Sequence, residues 1–182
     1  SLRAENERLK SELTALKDER AHEFERLEHQ HQELADSVNY AFRIQQAIQP
    51  PLELVDSLLD ESFVLYLPKD VVSGDFYWSI EKDGHLYLAV ADCTGHGVPG
   101  AFLTLLGTSF LNEIALQDEL LTPAQILTQL RRKFITEFSS DKGAVRDGMD
   151  ISLMRLNLDS NELTWSGALS PLWILEASTG KI

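Results

Sequence analysis

The feature that most limits how this chain can fold is the pair Asp83-Gly84, which separates two runs rich in aromatic and β-branched residues. Asp-Gly favours the two-residue turn of a β-hairpin, because both central residues of that turn need positive φ. Counting outward from the turn puts Asp75 directly opposite Asp92, on the same face of the hairpin. Cross-strand partners have Cβ atoms about 4.5–5.5 Å apart, so this register predicts two adjacent carboxylates. A bulge in either strand would shift the pairing and turn one of them to the other face.

Two carboxylates this close repel each other, and the usual remedies are a shared proton, which raises one pKa, or a bound cation. Asp75 lies inside the run SGDFYWSI, although Asp is depleted from strand interiors. Asp92 ends an apolar run and is followed by the glycine-rich sequence CTGHGVPGA. A hard divalent ion with oxygen ligands is the simplest resolution. The alternative is a solvated pair of acids at the strand ends.

Charge and cysteine content exclude several classes of partner. The chain carries 16 Lys and Arg against 29 Asp and Glu, a formal charge of −13, which disfavours nucleic acid and anionic membranes. Cys93 is the single cysteine, so an internal disulfide is excluded, in keeping with the cytoplasm. No apolar run reaches the roughly 18–20 residues of a membrane span. We therefore expect a cytoplasmic protein that does not insert into membranes.

Residues 1–49 contain no Gly or Pro and are rich in Glu, Arg, Lys, Gln and Leu, which favours one long helix. Apolar residues return at heptad spacing, and Asn6 at an a position is typical of a parallel dimer. The apolar stripe then drifts, because Phe24 and Val38 each follow one residue after a polar d position. We predict that this segment forms a homodimeric coiled coil ended by Pro50. The alternative is a helix whose second half packs on its own domain.

The rest of the chain combines strands and helices. Strands separated by two consecutive helices favour α+β architecture with antiparallel sheet over a doubly wound parallel fold. Beyond the hairpin, the predicted elements are a connector at 51–61, strands at 62–67, 150–158, 162–167 and 172–177, helices at 99–117 and 123–138, and a loop at 139–148. The aromatic residues expected in the core are Trp78, Phe102, Trp165 and Trp173.

Three sequences, SGDFYW at 73–78, ADCTGHGVPGA at 91–101 and DGMDIS at 147–152, together resemble the PPM-type metal-dependent serine/threonine phosphatases. The similarity is to the bacterial branch typified by the stage II sporulation protein E and the sigma-factor regulator phosphatases. It covers roughly residues 62–182, and a coiled-coil linker like residues 1–49 commonly precedes such a domain. The resemblance implies an α-β-β-α sandwich of antiparallel sheets. It also implies three segments: a dimerisation helix at 1–49, a connector at 50–61 and the phosphatase domain at 62–182.

The resemblance further implies two divalent ions, manganese or magnesium, at the end of the sheets. Asp75 and Asp92 match the first two metal-binding aspartates and are the residues expected to carry catalysis. Cys93 takes the place of a residue that offers only its backbone carbonyl to the metal. Asp150 matches the third acidic position, with Asp147 as its close competitor. A fourth acidic residue of the family has no counterpart before the chain ends.

The function implied is hydrolysis of phosphoserine or phosphothreonine on a regulatory protein, such as an anti-sigma-factor antagonist, under control of an upstream sensor domain. The alternative is a non-catalytic dimeric signalling scaffold with a phosphatase-like fold. His96 either contacts the phosphate or packs within its loop. The chain begins at Ser1 and stops before the fourth acid, so we expect a piece of a longer protein, with one metal site incomplete. The resemblance implies an enzyme, a protein serine/threonine phosphatase, although activity of this piece could be absent even if its parent is active.

Overall fold

The computed structural model describes residues 2–138, 147–176 and 179–180. In chain order they form α1 (Leu2–Ile48), α2 (Leu52–Leu58), β1 (Asp75–Lys82), β2 (His85–Cys93), α3 (Gly97–Ala115), α4 (Pro123–Phe138), β3 (Met149–Asn157) and β4 (Leu163–Ala168). The chain divides into two compact units, Ser1–Tyr40 and Ala41–Ile182. None of the described helices combines the length and the hydropathy that a membrane span needs.

The first unit consists of the larger part of α1, which confirms the long helix predicted from composition. Arg8 pairs with Glu12 at 2.8 Å, and Glu23 pairs with Arg26 at 2.6 Å. Pairs at these spacings stabilise a helix by about 0.2–0.5 kcal/mol each. Within the chain its leucines stay exposed, for example Leu9 at 58%. The homodimeric coiled coil stays a prediction, as do the three segment boundaries inferred from the resemblance.

The second unit contains a four-stranded sheet with the strand order β1-β2-β3-β4, and every neighbouring pair is antiparallel. Two consecutive helices, α3 and α4, separate β2 from β3, so the predicted α+β class is confirmed. Within the described residues, one sheet and one helix layer of the expected sandwich are present. The hairpin, both helices after it and the strands β3 and β4 fall where the sequence predicts them, within two residues at each end.

The core lies between the sheet and the helix layer, because β1 alternates buried and more exposed side chains from Asp75 to Trp78, as β2 does from Tyr87 to Cys93. Phe76 and Trp78 on β1 are 3% and 2% exposed, and Leu153 on β3 is completely buried. From the helices, Leu111 of α3 and Ile126 of α4 pack into the same cluster. With a period of two residues along each strand, this alternation directs Asp75 to the opposite face of the sheet.

Two predicted strands are wrong. Residues 62–67 form no strand, and Phe63 and Leu67 are 90% and 80% exposed. Residues 172–175 are irregular, and Glu176 makes only an isolated bridge. The last residue of that predicted strand lies outside the described residues. Residues 139–146 of the predicted loop also lie outside them. Both segments have strand-like composition, but a strand forms only when a neighbour pairs with its backbone. Within the described residues, neither segment is paired in the four-stranded sheet.

The aromatic core is also smaller than the sequence indicates. Trp78 is buried, and its indole N–H donates to Asn112 Oδ1 at 2.7 Å. Phe102, Trp165 and Trp173 are 62%, 41% and 73% exposed, so their assignment to the core is wrong. Phe102 lies on a face of α3 that does not point into the cluster. Trp165 lies on β4, the outermost strand of the sheet.

Candidate metal centre

The hairpin turn sets the register that the site depends on. Asp83 and Gly84 have φ values of +50° and +72°, the two positive angles of a type I′ turn. Pairing runs without a bulge from Lys82 opposite His85 to Asp75 opposite Asp92. The predicted pairing of the two aspartates is therefore confirmed.

The neighbouring strand adds a third acid to the same row. Asp92 of β2 lies opposite Asp150 of β3, and Asp75, Asp92 and Asp150 are all exposed on the face away from the helices. Asp147 lies in the preceding loop, where its Oδ1 accepts the Thr94 hydroxyl at 3.1 Å. The register thus gives Asp150, and not Asp147, the position beside the first two acids.

The pKa of Asp75 agrees with close contact between the carboxyl groups of Asp75 and Asp92. The pKa of Asp75 is raised above its ordinary value, first by partial burial, then by repulsion from Asp92 and by a hydrogen bond with Asp92 that favours the protonated form. A bound cation relieves the same repulsion without a proton. The structure therefore contains a carboxylate pair that is strained when both members are ionised.

The donor set fits a hard divalent ion. Carboxylate oxygens are the ligands that Mg²⁺ and Mn²⁺ prefer, and Mg²⁺ keeps several waters, so one or two protein carboxylates per ion suffice. Across the described residues, no three His, Cys, Asp or Glu side chains converge on one point that could hold an ion. The arrangement is a row of three, with one close pair. Such a row suits ions shared between neighbours better than one ion enclosed by all three.

A close approach of glycine backbones builds the wall beside the row. A Cβ on Gly74 would lie 2.7 Å from the carbonyl oxygen of Gly95, and a Cβ on Gly100 would lie 2.9 Å from the Cα of Gly74. Any side chain at Gly74 or Gly100 would push the start of α3 away from the residue before Asp75. The glycine-rich sequence therefore serves packing of the backbone at this edge of the sheet.

Cys93 lies in this wall. Its N–H donates to the carbonyl of Gly74 at 3.2 Å, and its own carbonyl oxygen would lie 3.2 Å from a Cβ on Gly74. Burial raises the pKa of the Cys93 thiol to about 12, so the thiolate is not available near neutral pH. What Cys93 can offer to the site is its backbone carbonyl.

His96 and Thr94 connect the loops around the row. His96 Nδ1 lies 2.7 Å from Asp70 Oδ2, at the position before the first turn of α3. The N–H of Thr94 donates to the carbonyl of Gly148 at 3.0 Å, and the N–H of Gly148 donates to the Thr94 hydroxyl at 3.1 Å. These bonds join the chain after β2 to the chain before β3, which keeps Asp92 and Asp150 side by side.

An open cavity of about 440 Å³ lies over the three carboxylates. Its other walls are Val64 to Leu67 and Leu169 to Pro171. One edge is held by Tyr66, whose hydroxyl donates to the backbone carbonyl of Asp75 at 3.2 Å.

Two residues that hold the backbone before Asp75 were not predicted from the sequence. Gln45 is buried at the end of α1 and bonds to the backbone of Ser73. The hydroxyl of Thr104 lies 3.0 Å from the carbonyl oxygens of both Ser73 and Gly74. No motif marks Gln45, since it lies among other polar residues of a polar helix. Thr104 is the first polar side chain in the apolar first half of α3, which was the available signal for it.

Comparison with known proteins identifies relatives of the chain. Residues 82–182 match the family profile described as stage II sporulation protein E (SpoIIE). The solved SiaA-PP2C domain of Pseudomonas aeruginosa is 33% identical, with a TM-score of 0.66 over 76% of this chain and 55% of that one. A structure of the RsbU and RsbW domains of a Mycobacterium tuberculosis protein is 21% identical, with a TM-score of 0.43 over 55% of this chain and 26% of that one. No curated protein sequence is similar enough to count as a match. The chain thus spans about half the length of the SiaA-PP2C structure.

Proposed function

Since the chain belongs to the stage II sporulation protein E family of PPM-type phosphatases, we propose that it is the metal-binding part of a protein serine/threonine phosphatase. Its substrate is phosphoserine or phosphothreonine on a regulatory protein, such as an anti-sigma-factor antagonist. The observation that carries the proposal is the row Asp75, Asp92 and Asp150, in register on three adjacent strands.

Electrostatics explain why this row needs cations before it can act on a phosphate. A phosphate monoester is negatively charged at neutral pH, so three bare carboxylates would repel it. Manganese or magnesium ions, when bound, would supply the Lewis acidity needed to activate a water and to neutralise the phosphate oxygens. Asp75, Asp92 and Asp150 would hold the ions through their carboxylates, and Cys93 would offer its backbone carbonyl.

The open cavity supports a protein substrate. It exposes the acids on the face of the sheet opposite the helix layer, and residues 64–67 and 169–171 form walls beside them. The His96–Asp70 pair is exposed and lies on the loop that leads from Asp92 into α3.

The test of the site is manganese binding, which does not require the full catalytic apparatus. Asp75→Asn and Asp92→Asn should each abolish binding in titration calorimetry and any manganese-dependent hydrolysis of a phosphoserine peptide, with the circular dichroism spectrum unchanged. Asp118→Asn is the matched control, because Asp118 is an exposed carboxylate on the loop between α3 and α4. Retained binding in both site variants would refute the site.

A non-catalytic scaffold is the second candidate, and one observation favours it. Among the residues described, no three acidic, His or Cys side chains converge on a single ion. If the wild-type chain binds no manganese in the same titration, the scaffold is the better description.

The exposed leucines of α1 support dimerisation through this helix, by which an upstream sensor domain would control the phosphatase. Leu13 and Leu16 are 53% and 61% exposed, and leucine side chains in a heptad seam are buried by a second helix. In sedimentation velocity, Leu13→Arg should convert a dimer into a monomer, while Ser11→Arg on the outer face of the heptad should not. A wild-type chain that sediments as a monomer would contradict the proposal.

A further inference from the structure

The end of α1 buries a polar side chain and exposes an apolar one. Gln45 is 3% exposed and is the one buried side chain among the residues of α1. Its neighbour Ile44 is 43% exposed. Burial of an amide is unfavourable unless hydrogen bonds compensate for the lost water, so the contacts of Gln45 account for its position.

Gln45 uses both ends of its amide on one residue. Its Oε1 accepts the backbone N–H of Ser73 at 2.9 Å, and its Nε2 donates to the backbone carbonyl of Ser73 at 2.7 Å. The side-chain amide therefore pairs with the N–H and the carbonyl of one residue, as a residue of a neighbouring antiparallel strand would. Glutamate would lack the donor and leucine would lack both groups, so the chemistry of this contact is specific to an amide of this length.

Ser73 passes this constraint on to Asp75. The Ser73 hydroxyl accepts the backbone N–H of Asp75 at 2.9 Å, and Thr104 binds the carbonyl oxygens of Ser73 and Gly74 from the other side. Asp75 has its own carbonyl held by Tyr66. The backbone before the first acid of the row is thus fixed by side chains from α1, α3 and the segment before β1.

We propose that Gln45 is a positioning residue that sets the carboxylate of Asp75 for metal binding. This inference rests on the proposed function, since it takes Asp75 as a metal ligand. Groups that orient a ligand through hydrogen bonds without touching the metal typically change metal affinity about 10- to 100-fold when they are removed. Loss of the Gln45 amide leaves the N–H of Ser73 without its partner and leaves Thr104 as the remaining donor to the Ser73 carbonyl. It thereby loosens the backbone that leads into Asp75.

The experiment compares Gln45→Leu with Gln46→Leu, which makes the same chemical change at the adjacent, exposed position. Manganese binding is measured by titration calorimetry at a temperature where all variants are fully folded by circular dichroism. Amide hydrogen exchange of Ser73 and Asp75 is measured in the metal-free protein. Gln45→Leu should weaken manganese binding about 10- to 100-fold and accelerate exchange at both amides. Gln46→Leu should change neither.

Ser73→Ala is the second variant, and it covers the case in which Gln45→Leu does not fold. It keeps both bonds between Gln45 and the peptide of Ser73 but removes the acceptor of the Asp75 N–H. We expect a smaller loss of manganese affinity, with faster exchange at Asp75 and unchanged exchange at Ser73.

The outcomes separate this inference from the proposed function. A wild-type protein that binds no manganese refutes the metal site itself. Wild-type binding together with unchanged affinity in a folded Gln45→Leu variant overturns the positioning role alone. If Gln45→Leu does not fold, unchanged affinity in Ser73→Ala overturns it. A lower Tm with unchanged affinity at the working temperature would assign Gln45 a purely structural role.

Discussion

The two faces of the sheet carry different properties although the same strands form both. On the face toward α3 and α4, Trp78 and Leu153 are at most 2% exposed. On the opposite face, Val90 is 55% exposed, and the row that begins with Asp75 lies at the strand ends. Alternate residues along one strand therefore belong either to the core or to the candidate site.

One face of the sheet therefore stabilises the fold, and the other carries the groups of the candidate site. Burial of apolar side chains on the helix side supplies the free energy that holds the strands in register, at about 25 cal/mol per Å² of apolar surface. The other face can then bring carboxylates together, which is unfavourable by itself. A one-residue slip of β1 would exchange the two faces, so the core on one side protects the register of the site on the other.

The largest expected effect tests whether the face of the sheet that packs on the helices supplies most of the free energy of unfolding. Leu153→Ala should lower the free energy of unfolding by about 2–5 kcal/mol, because it removes methyl and methylene groups from a fully buried position. Val90→Ala, on the other face, should change it by no more than about 0.5 kcal/mol, as exposed substitutions do. Both values come from urea unfolding followed by circular dichroism. Equal losses at the two positions would contradict the comparison.

A smaller effect tests whether the acid row costs stability. Asp75 has a raised pKa in the folded protein, so the folded state binds this proton more tightly than the unfolded state does. The contribution of Asp75 to the free energy of unfolding therefore falls as the pH rises from the ordinary value of 3.8 through the raised folded pKa, and then stays low. In the presence of a chelator, Asp75→Asn should unfold at a slightly higher Tm than wild type near neutral pH. The two proteins should converge in acid.

The measurement is the Tm difference between Asp75→Asn and wild type across the pH range, with Asp118→Asn as the control that should show no such trend. Saturating manganese should reverse the order at neutral pH, because an ion that binds only the folded wild type stabilises it. A chelated Asp75→Asn protein that is less stable than wild type at neutral pH would show that the carboxylate is satisfied without a metal.

Much of the fold could be predicted because its signals are local. The Asp83-Gly84 turn fixes the hairpin register, and α4 begins at Pro123, directly after Thr122, which forms a cap with Gln125. The segments at 62–67 and 172–177 have strand-like composition, but pairing partners decide whether a strand forms. Trp165 likewise has a core-like side chain and still lies 41% exposed on an outer strand.

In the candidate site, too, some features follow from local sequence and others depend on contacts between distant segments. The opposition of Asp75 and Asp92 follows from counting residues around a short turn. The choice of Asp150 over Asp147 required the register of β2 with β3, two strands separated by α3 and α4. Gln45 could not be found from sequence, because its bond to Ser73 joins residues 28 positions apart and nothing in a polar helix distinguishes it.

The amino-acid sequence by itself determined the two-residue turn, the adjacent pair of acids and the breaks and starts of the helices, since each depends on residues close together in the chain. Only the tertiary structure decided which acid joins the pair, which aromatic residues are buried and which side chain holds the backbone before Asp75. Those choices depend on contacts between segments distant in sequence, and local conformational preference carries no information about them.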